Sequence, residues 1–254
     1  MDANSRFDRI HLRCVEQASW TAEIRGRLLP FSILPPGSRL LEIGAGTGAV
    51  VGPMAEAHAS MAFHALDLDP DVTRAGALRY PGLRWQIGDA HALPLRSGAY
   101  DAVFFHYVLL WLEDPPSALR EAARVTRPGG LVLAFAEPDH ASRIDYPDSL
   151  APWGERQTRA LAEHGADIAI GRRLRSLFAG AGLEPVASGI VGAEWTGVSA
   201  SEGSRLERET WRADLAGTVS EAELDEAENL EKAAWKRGER VLFVPTFFAA
   251  GRVR

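Results

Sequence analysis

From Arg39 to Ala136, short apolar segments alternate with segments of helical periodicity, and this alternation constrains the fold of the 254-residue chain most strongly. The apolar runs are five or six residues long and are bounded by glycine, proline and polar residues, as is typical of buried strands. Strands and helices in regular alternation predict a parallel sheet, because right-handed crossovers place helices on both faces of the sheet. The predicted strands are 39–43, 61–66, 83–87, 102–106 and 131–136, and the predicted helices are 49–58, 70–78 and 116–125.

The two ends of this region predict a cap and a lid within a single domain, residues 1–254. Apolar positions recur at helical spacing before the first strand, so residues 1–34 are expected to form a helical cap. Between Glu137 and Ile170 the alternation gives way to a polar segment with prolines, and we predict a lid insertion at 138–170 over the strand ends. The later pattern predicts a helix at 172–181, a strand at 184–191, two helical stretches over 202–237 and a last strand near 241–250.

Charge and cysteine content narrow the range of partners. With 28 basic and 34 acidic residues, the formal net charge is −6, whereas a protein that binds nucleic acid usually has a basic excess. The single cysteine, Cys14, excludes an internal disulfide and a cysteine-based metal cluster, so no metal is predicted. The most apolar run, 102–112, is too short to cross a bilayer, and the first residues lack a signal-peptide pattern. We therefore expect a cytoplasmic protein with neither nucleic acid nor membrane as partner, and a homodimer is one option for its open oligomeric state.

The first predicted strand runs into a glycine-rich turn, in the segment LLEIGAGTGAV that spans Leu40 to Val50. Glycines at 44, 46 and 48 allow positive φ and a close approach of backbone amides to a ligand, and the following helix adds unpaired N–H groups. The same residues satisfy G-x-G-x-x-[GA] through Ala49, so the turn alone fits a nicotinamide or flavin cofactor as well as other nucleotides.

Three acids near the predicted strand ends discriminate between these ligands. Glu42 lies beside the turn, where a carboxylate repels a pyrophosphate but suits a ligand that carries an ammonium group. Asp67 ends the second strand, where a carboxylate accepts hydrogen bonds from both ribose hydroxyls. Asp89 follows the third strand and is placed to accept from an adenine amino group, while the Ala90 N–H donates to the ring. An acid at this third position is expected for a methyl donor and not for a dinucleotide.

Together, the segments LEIGAGTG, ALDLDP, IGDAHALPL, YDAVF and RPGG resemble class I S-adenosylmethionine-dependent methyltransferases, especially the branch that acts on small molecules. The resemblance covers about Pro35–Glu137 in order and spacing, and it extends more loosely to GRRLRSLFAGAGLEP and the final FFAAGR. It implies a Rossmann-like, seven-stranded, mostly parallel sheet with helices on both faces and an antiparallel last strand. It also implies S-adenosylmethionine as the cofactor.

The resemblance further implies which residues contact the cofactor. Around the methionine part these are Glu42, Gly44, Ala45, Gly46 and Gly48; at the ribose they are Asp67 and Leu68; and at the adenine they are Asp89 and Ala90. In the cap, the segment EQASW resembles the lid helix of related enzymes, which adds Gln17 as a contact. The chain departs from amino-directed DNA and protein methyltransferases at 105–108, where it has FHYV in place of an Asn/Asp-Pro-Pro-aromatic signature, so exocyclic amines and glutamine are disfavoured as acceptors.

Methyl transfer from a sulfonium is an in-line displacement, and holding the acceptor on axis in a dry pocket supplies most of the catalysis. An acceptor hydroxyl or ammonium must also lose a proton, and His106, at the end of the fourth strand, is the predicted general base. The alternative is a histidine that only packs there; His140 and His164 in or beside the lid are further candidates. Trp153, flanked by Pro152 and Gly154, lacks an obvious buried periodicity and is a candidate wall of an acceptor pocket.

The predicted function is therefore methyl transfer from S-adenosylmethionine to a small-molecule acceptor through O, N or C. An NAD(P)-dependent oxidoreductase is one alternative, although Lys232 and Lys236 are the only lysines and form no evident Tyr-x-x-x-Lys pair. A methyltransferase-like protein that binds the cofactor without catalysis is the other alternative, because a displacement needs few diagnostic side chains.

Overall fold

The computed structural model describes residues 3–29, 34–191 and 209–254, which form two compact units. The first unit comprises Met1–Glu137, Arg172–Val191 and Phe247–Arg254. The second comprises Pro138–Gly171 and Gly192–Thr246. The segment predicted as a lid, 138–170, thus belongs to the second unit together with a later part of the chain, and its role as a lid stays a prediction.

The first unit is built on a seven-stranded, mostly parallel sheet with one antiparallel strand, which confirms the predicted fold class. The strands of this sheet are β1 (Arg39–Ile43), β2 (Ala62–Asp67), β3 (Arg84–Ile87), β4 (Tyr100–Phe105), β5 (Thr126–Pro138), β7 (Glu184–Val191) and β9 (Thr246–Arg252). Their order in the sheet is β3-β2-β1-β4-β5-β9-β7, and β1 pairs in parallel with both β2 and β4. A separate two-stranded sheet contains β6 (Ile144–Tyr146) and β8 (Val241–Phe243).

Helices connect the parallel strands, and their starting points are encoded locally. Asp69 caps the helix Pro70–Arg79 by accepting hydrogen bonds from the backbone N–H groups of Asp71 and Val72. Asp114 caps the helix Pro115–Val125 by accepting from the N–H of Ser117. Both helices also begin with proline, whose fixed φ suits the first helical position. The helices are α1 (Ala3–Ser19), α2 (Ala22–Leu28), α3 (Val51–Ala57), α4 (Pro70–Arg79), α5 (Pro115–Val125), α6 (Ala151–Glu163), α7 (Ile170–Gly180) and α8 (Glu221–Lys236).

The core of the first unit lies along the central strands. Leu40 on β1, Phe104 on β4 and Leu133 on β5 are fully buried, because helices cover both faces of the sheet. Burying a side chain of this size contributes about 1.5–3 kcal/mol. The central strands therefore form a rigid support for the loops at their carboxyl ends.

The predicted last strand, 241–250, is two strands in the structure. Val241–Phe243 pairs antiparallel with Ile144–Tyr146, whereas Thr246–Arg252 joins the large sheet. Pro245 lies between them and has no N–H with which to continue a ladder, which explains the break. The earlier helical prediction over 202–237 matches α8 in its later part, and residues 202–208 lie outside the described residues.

The second unit has its own buried interior, whereas the sequence predicts only a polar lid insertion at 138–170. Helix α6 buries Trp153, whose ring stacks on that of Trp211 at 6.1 Å between centroids. The expectation that Trp153 lacks a buried helical context is therefore wrong; its context was missed because polar residues dilute the periodicity of α6. Buried charges also pair in this unit: Asp145 accepts from Arg143 and from Arg240. Within the described residues, no helix has the length and hydropathy that a bilayer crossing requires.

Candidate cofactor-binding site

The glycine-rich turn lies between the carboxyl end of β1 and helix α3. Gly44, Gly46 and Gly48 have φ values of 71°, 55° and 84°, a region that other residues enter at a cost. The N–H groups of Gly44 and Ala45 both donate to the Leu66 carbonyl, at 2.8 and 3.0 Å, which ties the turn to the end of β2. The predicted turn is thus present, and its backbone conformation depends on glycine.

Asp67 links the end of β2 directly to this turn. Its Oδ2 accepts from the Gly46 N–H at 2.7 Å, and its Oδ1 accepts from the Asp69 N–H at 3.0 Å. An ionised carboxylate has about four lone-pair sites, so both oxygens retain capacity for hydroxyl donors. The next residue, Leu68, is 67% exposed, and Ile87 at the end of β3 is 53% exposed. An acid and an apolar edge therefore lie next to the turn.

Asp89 and Ala90 follow β3, as predicted, and are organised by His91. Asp89 Oδ1 accepts from the His91 backbone N–H at 2.9 Å and lies 2.7 Å from the His91 ring Nδ1. These hydrogen bonds lower the pKa of Asp89, so the carboxylate is ionised. On the other side of the ring, His91 Nε2 accepts from the Asp114 N–H at the start of α5. His91 is thus a positioning residue that fixes Asp89, while Ala90 is buried.

Glu42 lies beneath the turn, and the residue is 2% exposed. Its Oε2 accepts from the Val51 N–H at the start of α3, at 2.9 Å. Burial raises the pKa of Glu42 to about 8, against the opposing effects of the Val51 amide and Arg25. Glu42 is therefore largely protonated near neutral pH, and a cationic ligand group nearby is needed to favour the ionised form that would repel a pyrophosphate.

His106, the predicted general base, is buried at the end of β4. Its Nε2 is hydrogen-bonded to Thr21 Oγ1 at 2.8 Å, and Arg25 of α2 also donates to this hydroxyl. Burial, and secondarily the charge of Arg25, lower the pKa of His106 to about 3. The imidazole is therefore neutral and is coupled to the cap. Of the alternative bases, His140 belongs to the second unit, where burial lowers its pKa to about 4.

The cap contacts the turn through residues that the sequence analysis did not single out. His11 of α1 is buried, and its Nδ1 lies 2.9 Å from Oγ1 of Thr47, within the glycine-rich turn. Asp8 of the same helix pairs with Arg79 of α4. Gln17, the predicted contact in the cap, is half-buried on α1. No pattern in the sequence near His11 indicates this contact, because Thr47 is distant along the chain; the tertiary structure is needed to identify it.

A second missed residue is Glu137, which is fully buried at the carboxyl end of β5. Its Oε1 accepts from the N–H groups of Val108 and Leu109, both at 3.0 Å, and its Oε2 accepts from that of Leu110 at 3.2 Å. Tyr107, the residue before Val108, has φ 56°, a conformation that costs a non-glycine residue roughly 1–2 kcal/mol. Glu137 thus holds the loop after β4 in place, and its position directly after a predicted strand was the available signal.

These features fit an S-adenosyl cofactor. At Gly46 a Cβ would meet nothing within 4 Å, so the space beside this glycine is open to a ligand. Asp67, which is bonded to the Gly46 amide, and Asp89, which follows β3, offer carboxylate oxygens, and the exposed Leu68 offers an apolar surface to a flat ring. The structure brings the predicted residues to one edge of the sheet; their contacts with the cofactor stay predictions.

The fold and this site define a Rossmann-like α/β protein with a nucleotide-type site at the carboxyl edge of its sheet. Residues 41–134 match a family model described as a methyltransferase domain. The chain is 34% identical over 194 residues to an uncharacterized 37.1 kDa protein in transposon TN4556 of Streptomyces fradiae, which is 72% of this chain and 54% of that protein. It is 37% identical over 134 residues to a malonyl-[acyl-carrier protein] O-methyltransferase of Halorhodospira halophila, which is 50% of this chain and 45% of that protein.

Among solved structures, the chain resembles a geranyl diphosphate C-methyltransferase from Streptomyces coelicolor, with a TM-score of 0.56 and 16% identity. This similarity covers 92% of the present chain and 76% of the other, and it concerns the fold alone. The chain spans about half the length of the curated relatives that it matches. Residues 41–134 thus form a methyltransferase domain of the class I S-adenosylmethionine-dependent type, which confirms the resemblance found in the sequence.

Proposed function

We propose that this protein transfers the methyl group of S-adenosylmethionine to a small-molecule acceptor. The observation that carries the proposal is the hydrogen bond from the Gly46 amide to Asp67, which joins the glycine-rich turn to the acid at the end of β2. The family match over residues 41–134 supports the same reaction class and argues against the oxidoreductase alternative. When bound, S-adenosylmethionine supplies an electrophilic methyl group on a good leaving group.

The side chains of this protein contribute mainly by binding and orientation. Asp67 is placed to accept from the ribose hydroxyls, and Asp89 from the adenine amino group. Glu42 is placed beneath the turn, where its ionised form balances a positive charge on the ligand. In-line displacement gains most from orientation in a water-poor site, so these roles are sufficient for rate enhancement without a strong base.

Proton removal by His106 is disfavoured in its present surroundings. His106 is neutral, but a pKa near 3 makes it a poor proton acceptor, and Thr21 already engages its Nε2. We therefore propose that His106 acts as the base only if ligand binding changes its surroundings, and that the chain otherwise favours acceptors that need little assistance. The match covers 45% of the O-methyltransferase relative, so its acceptor atom is not carried over, and the proposal includes O, N and C acceptors.

The test is transfer of a labelled methyl group from S-adenosylmethionine to a panel of small acids, phenols, quinols and amines. The Asp67→Asn variant is the negative control for the cofactor site, and Asp71→Asn, an exposed change on α4, is the matched control. We expect labelled product with the wild type and Asp71→Asn, and a large loss with Asp67→Asn. Saturable cofactor binding without transfer to any acceptor would instead favour the non-catalytic alternative.

A further inference from the structure

A cavity of about 420 Å³, lined by both polar and apolar residues, lies in the first unit, away from the glycine-rich turn. Its wall includes Arg39, the first residue of β1, whereas the turn follows Ile43, the last residue of that strand. At about 3.3 Å per residue, these two points are roughly 13 Å apart along the strand. Ligand pockets are typically about 300–1,000 Å³, so the cavity has room for a small molecule. It is therefore a separate place in the fold from the proposed cofactor site.

The register of the sheet directs two arginines of this cavity to one face. Arg39 pairs with Ala62, and His64 pairs with Arg84. Paired residues of parallel strands point to the same side, and so do residues two apart along one strand. The side chains of Arg39, His64 and Arg84 thus share a face. Neighbouring strands are about 4.8 Å apart, so the two arginines flank β2 at roughly 10 Å, within reach of a common ligand.

A third arginine, Arg96, lines the cavity from the segment that follows Pro94. In the described part of the chain, none of the guanidinium groups of Arg39, Arg84 and Arg96 forms a hydrogen bond or ion pair with a protein acceptor. The neighbouring carboxylate of Asp101 is engaged elsewhere, by the Arg127 guanidinium and by the backbone N–H of Arg39. Three like charges therefore face one cavity in a protein whose formal net charge is −6.

His64 and Tyr100 form a polar wall of the same cavity, with His64 Nδ1 and the Tyr100 hydroxyl 2.9 Å apart. Burial, followed by the charges of Arg84 and Arg39, lowers the pKa of His64. The same two charges act on Tyr100, where they oppose the effect of burial. The positive electrostatic potential of both arginines thus extends to this wall of the cavity.

We propose that this cavity binds the phosphate group of a small anionic molecule. Guanidinium groups present planar pairs of N–H donors that match phosphate oxygens, and three of them, from two strands and a loop, offer more donors than a single carboxylate can accept from. The cavity lies at the amino end of the strands, so the ligand is distinct from cofactor and acceptor, and the inference does not depend on the proposed methyl transfer.

Calorimetric titration of the full chain with inorganic pyrophosphate tests this proposal, with citrate as a carboxylate of comparable charge. We expect saturable binding of pyrophosphate that weakens with added salt, and binding at least tenfold weaker in Arg84→Gln. Arg74→Gln, which removes an exposed arginine on α4 that pairs with Asp71, should leave the affinity unchanged. A saturating amount of S-adenosylhomocysteine should not compete, which separates this cavity from the glycine-rich turn.

The His64 ring supplies a readout that depends on neither activity nor the stability of a variant. Because Arg39 and Arg84 lower the pKa of His64, an anion bound between them should raise it, as followed by NMR titration of the wild-type protein. The proposal is overturned if pyrophosphate leaves this pKa unchanged, if Arg84→Gln and Arg74→Gln bind equally, or if citrate binds as tightly as pyrophosphate. Binding of an RNA oligonucleotide without binding of pyrophosphate would equally overturn it.

Discussion

Val108 packs directly against Gly44: a Cβ built on this glycine would lie 2.5 Å from Val108 Cγ2 and 2.7 Å from its Cγ1. The loop after β4 and the turn after β1 are therefore in contact at a point where a methyl group has no room. Glu137 holds the other side of this loop through the amides of Val108, Leu109 and Leu110. The turn thus packs against a loop that is held by a buried carboxylate at the end of another strand, β5.

The first prediction concerns this contact. Gly44→Ala should lower the free energy of unfolding by about 1–2 kcal/mol for the positive φ and by a further 1–3 kcal/mol for overpacking. Gly37→Ala is the matched control, because Gly37 also has positive φ (83°) but a Cβ there meets nothing within 4 Å. Urea unfolding measures both. Adding Val108→Ala should recover part of the loss in Gly44→Ala, and the absence of any recovery would refute the proposed steric cause.

The second prediction concerns Glu137. Glu137→Gln replaces one acceptor oxygen by an amide donor that faces backbone N–H groups, so we expect a loss of about 1–3 kcal/mol in unfolding free energy. Glu113→Gln, at an exposed position, should change the free energy of unfolding by less than about 0.5 kcal/mol. Affinity for S-adenosylhomocysteine should fall only in the first variant. Identical behaviour of the two variants would show that the loop does not depend on Glu137.

The third prediction is a pH dependence with a defined sign. Burial raises the pKa of Glu42 to about 8 and that of Glu137 to about 7, above the usual value of 4.5, so the folded state binds more protons than the unfolded state. Stability is therefore fully present below about pH 4.5 and is lost as the pH rises through the folded-state values. His106 acts in the opposite direction, but only between about pH 3 and 6.5.

Urea unfolding between pH 6.5 and 8 measures the carboxyl contribution as the difference between the wild type and a carboxyl variant, because the histidines that still titrate near pH 6.5 are common to both proteins. Each such carboxyl group should lower the free energy of unfolding across this range by up to about 1.4 kcal/mol per pH unit. Glu42→Gln should flatten the slope, whereas Glu56→Gln, at an exposed position, should leave it as in the wild type. Parallel slopes for all three proteins would contradict the assignment.

The fourth prediction concerns the connection between cap and sheet. Thr21→Val keeps the side-chain shape but removes the hydroxyl that meets His106 and Arg25, so we expect a loss of about 1–3 kcal/mol in the stability of the cap. Amide hydrogen exchange in α1 and α2 should become faster, while exchange in β4 stays slow. Ser19→Ala, which removes a hydroxyl that donates to the Glu16 carbonyl at the surface, is the control. Unchanged exchange in Thr21→Val would show that the cap is held by other contacts.

The sheet and the turn were predictable because their signals are local. An apolar run that ends in Gly44 or Asp67 predicts, within a few residues, both a buried strand and the end of that strand that faces a ligand. The environment of His106 was not predictable, since its partner Thr21 is 85 positions away and its burial arises from tertiary packing. The same applies to Glu137, whose three amide donors follow a different strand. Helix α6 was missed because polar residues interrupt the pattern on which its prediction depends.

The central claim is that Asp67 and the glycine-rich turn hold an S-adenosyl ligand, and calorimetry with S-adenosylhomocysteine tests it most directly. We expect saturable binding at one site per chain in the wild type and in Asp71→Ala, and at least tenfold weaker binding in Asp67→Ala, because the ribose hydroxyls lose their acceptor. Absence of binding to the wild type, or equal affinity in Asp67→Ala and Asp71→Ala, would contradict the account.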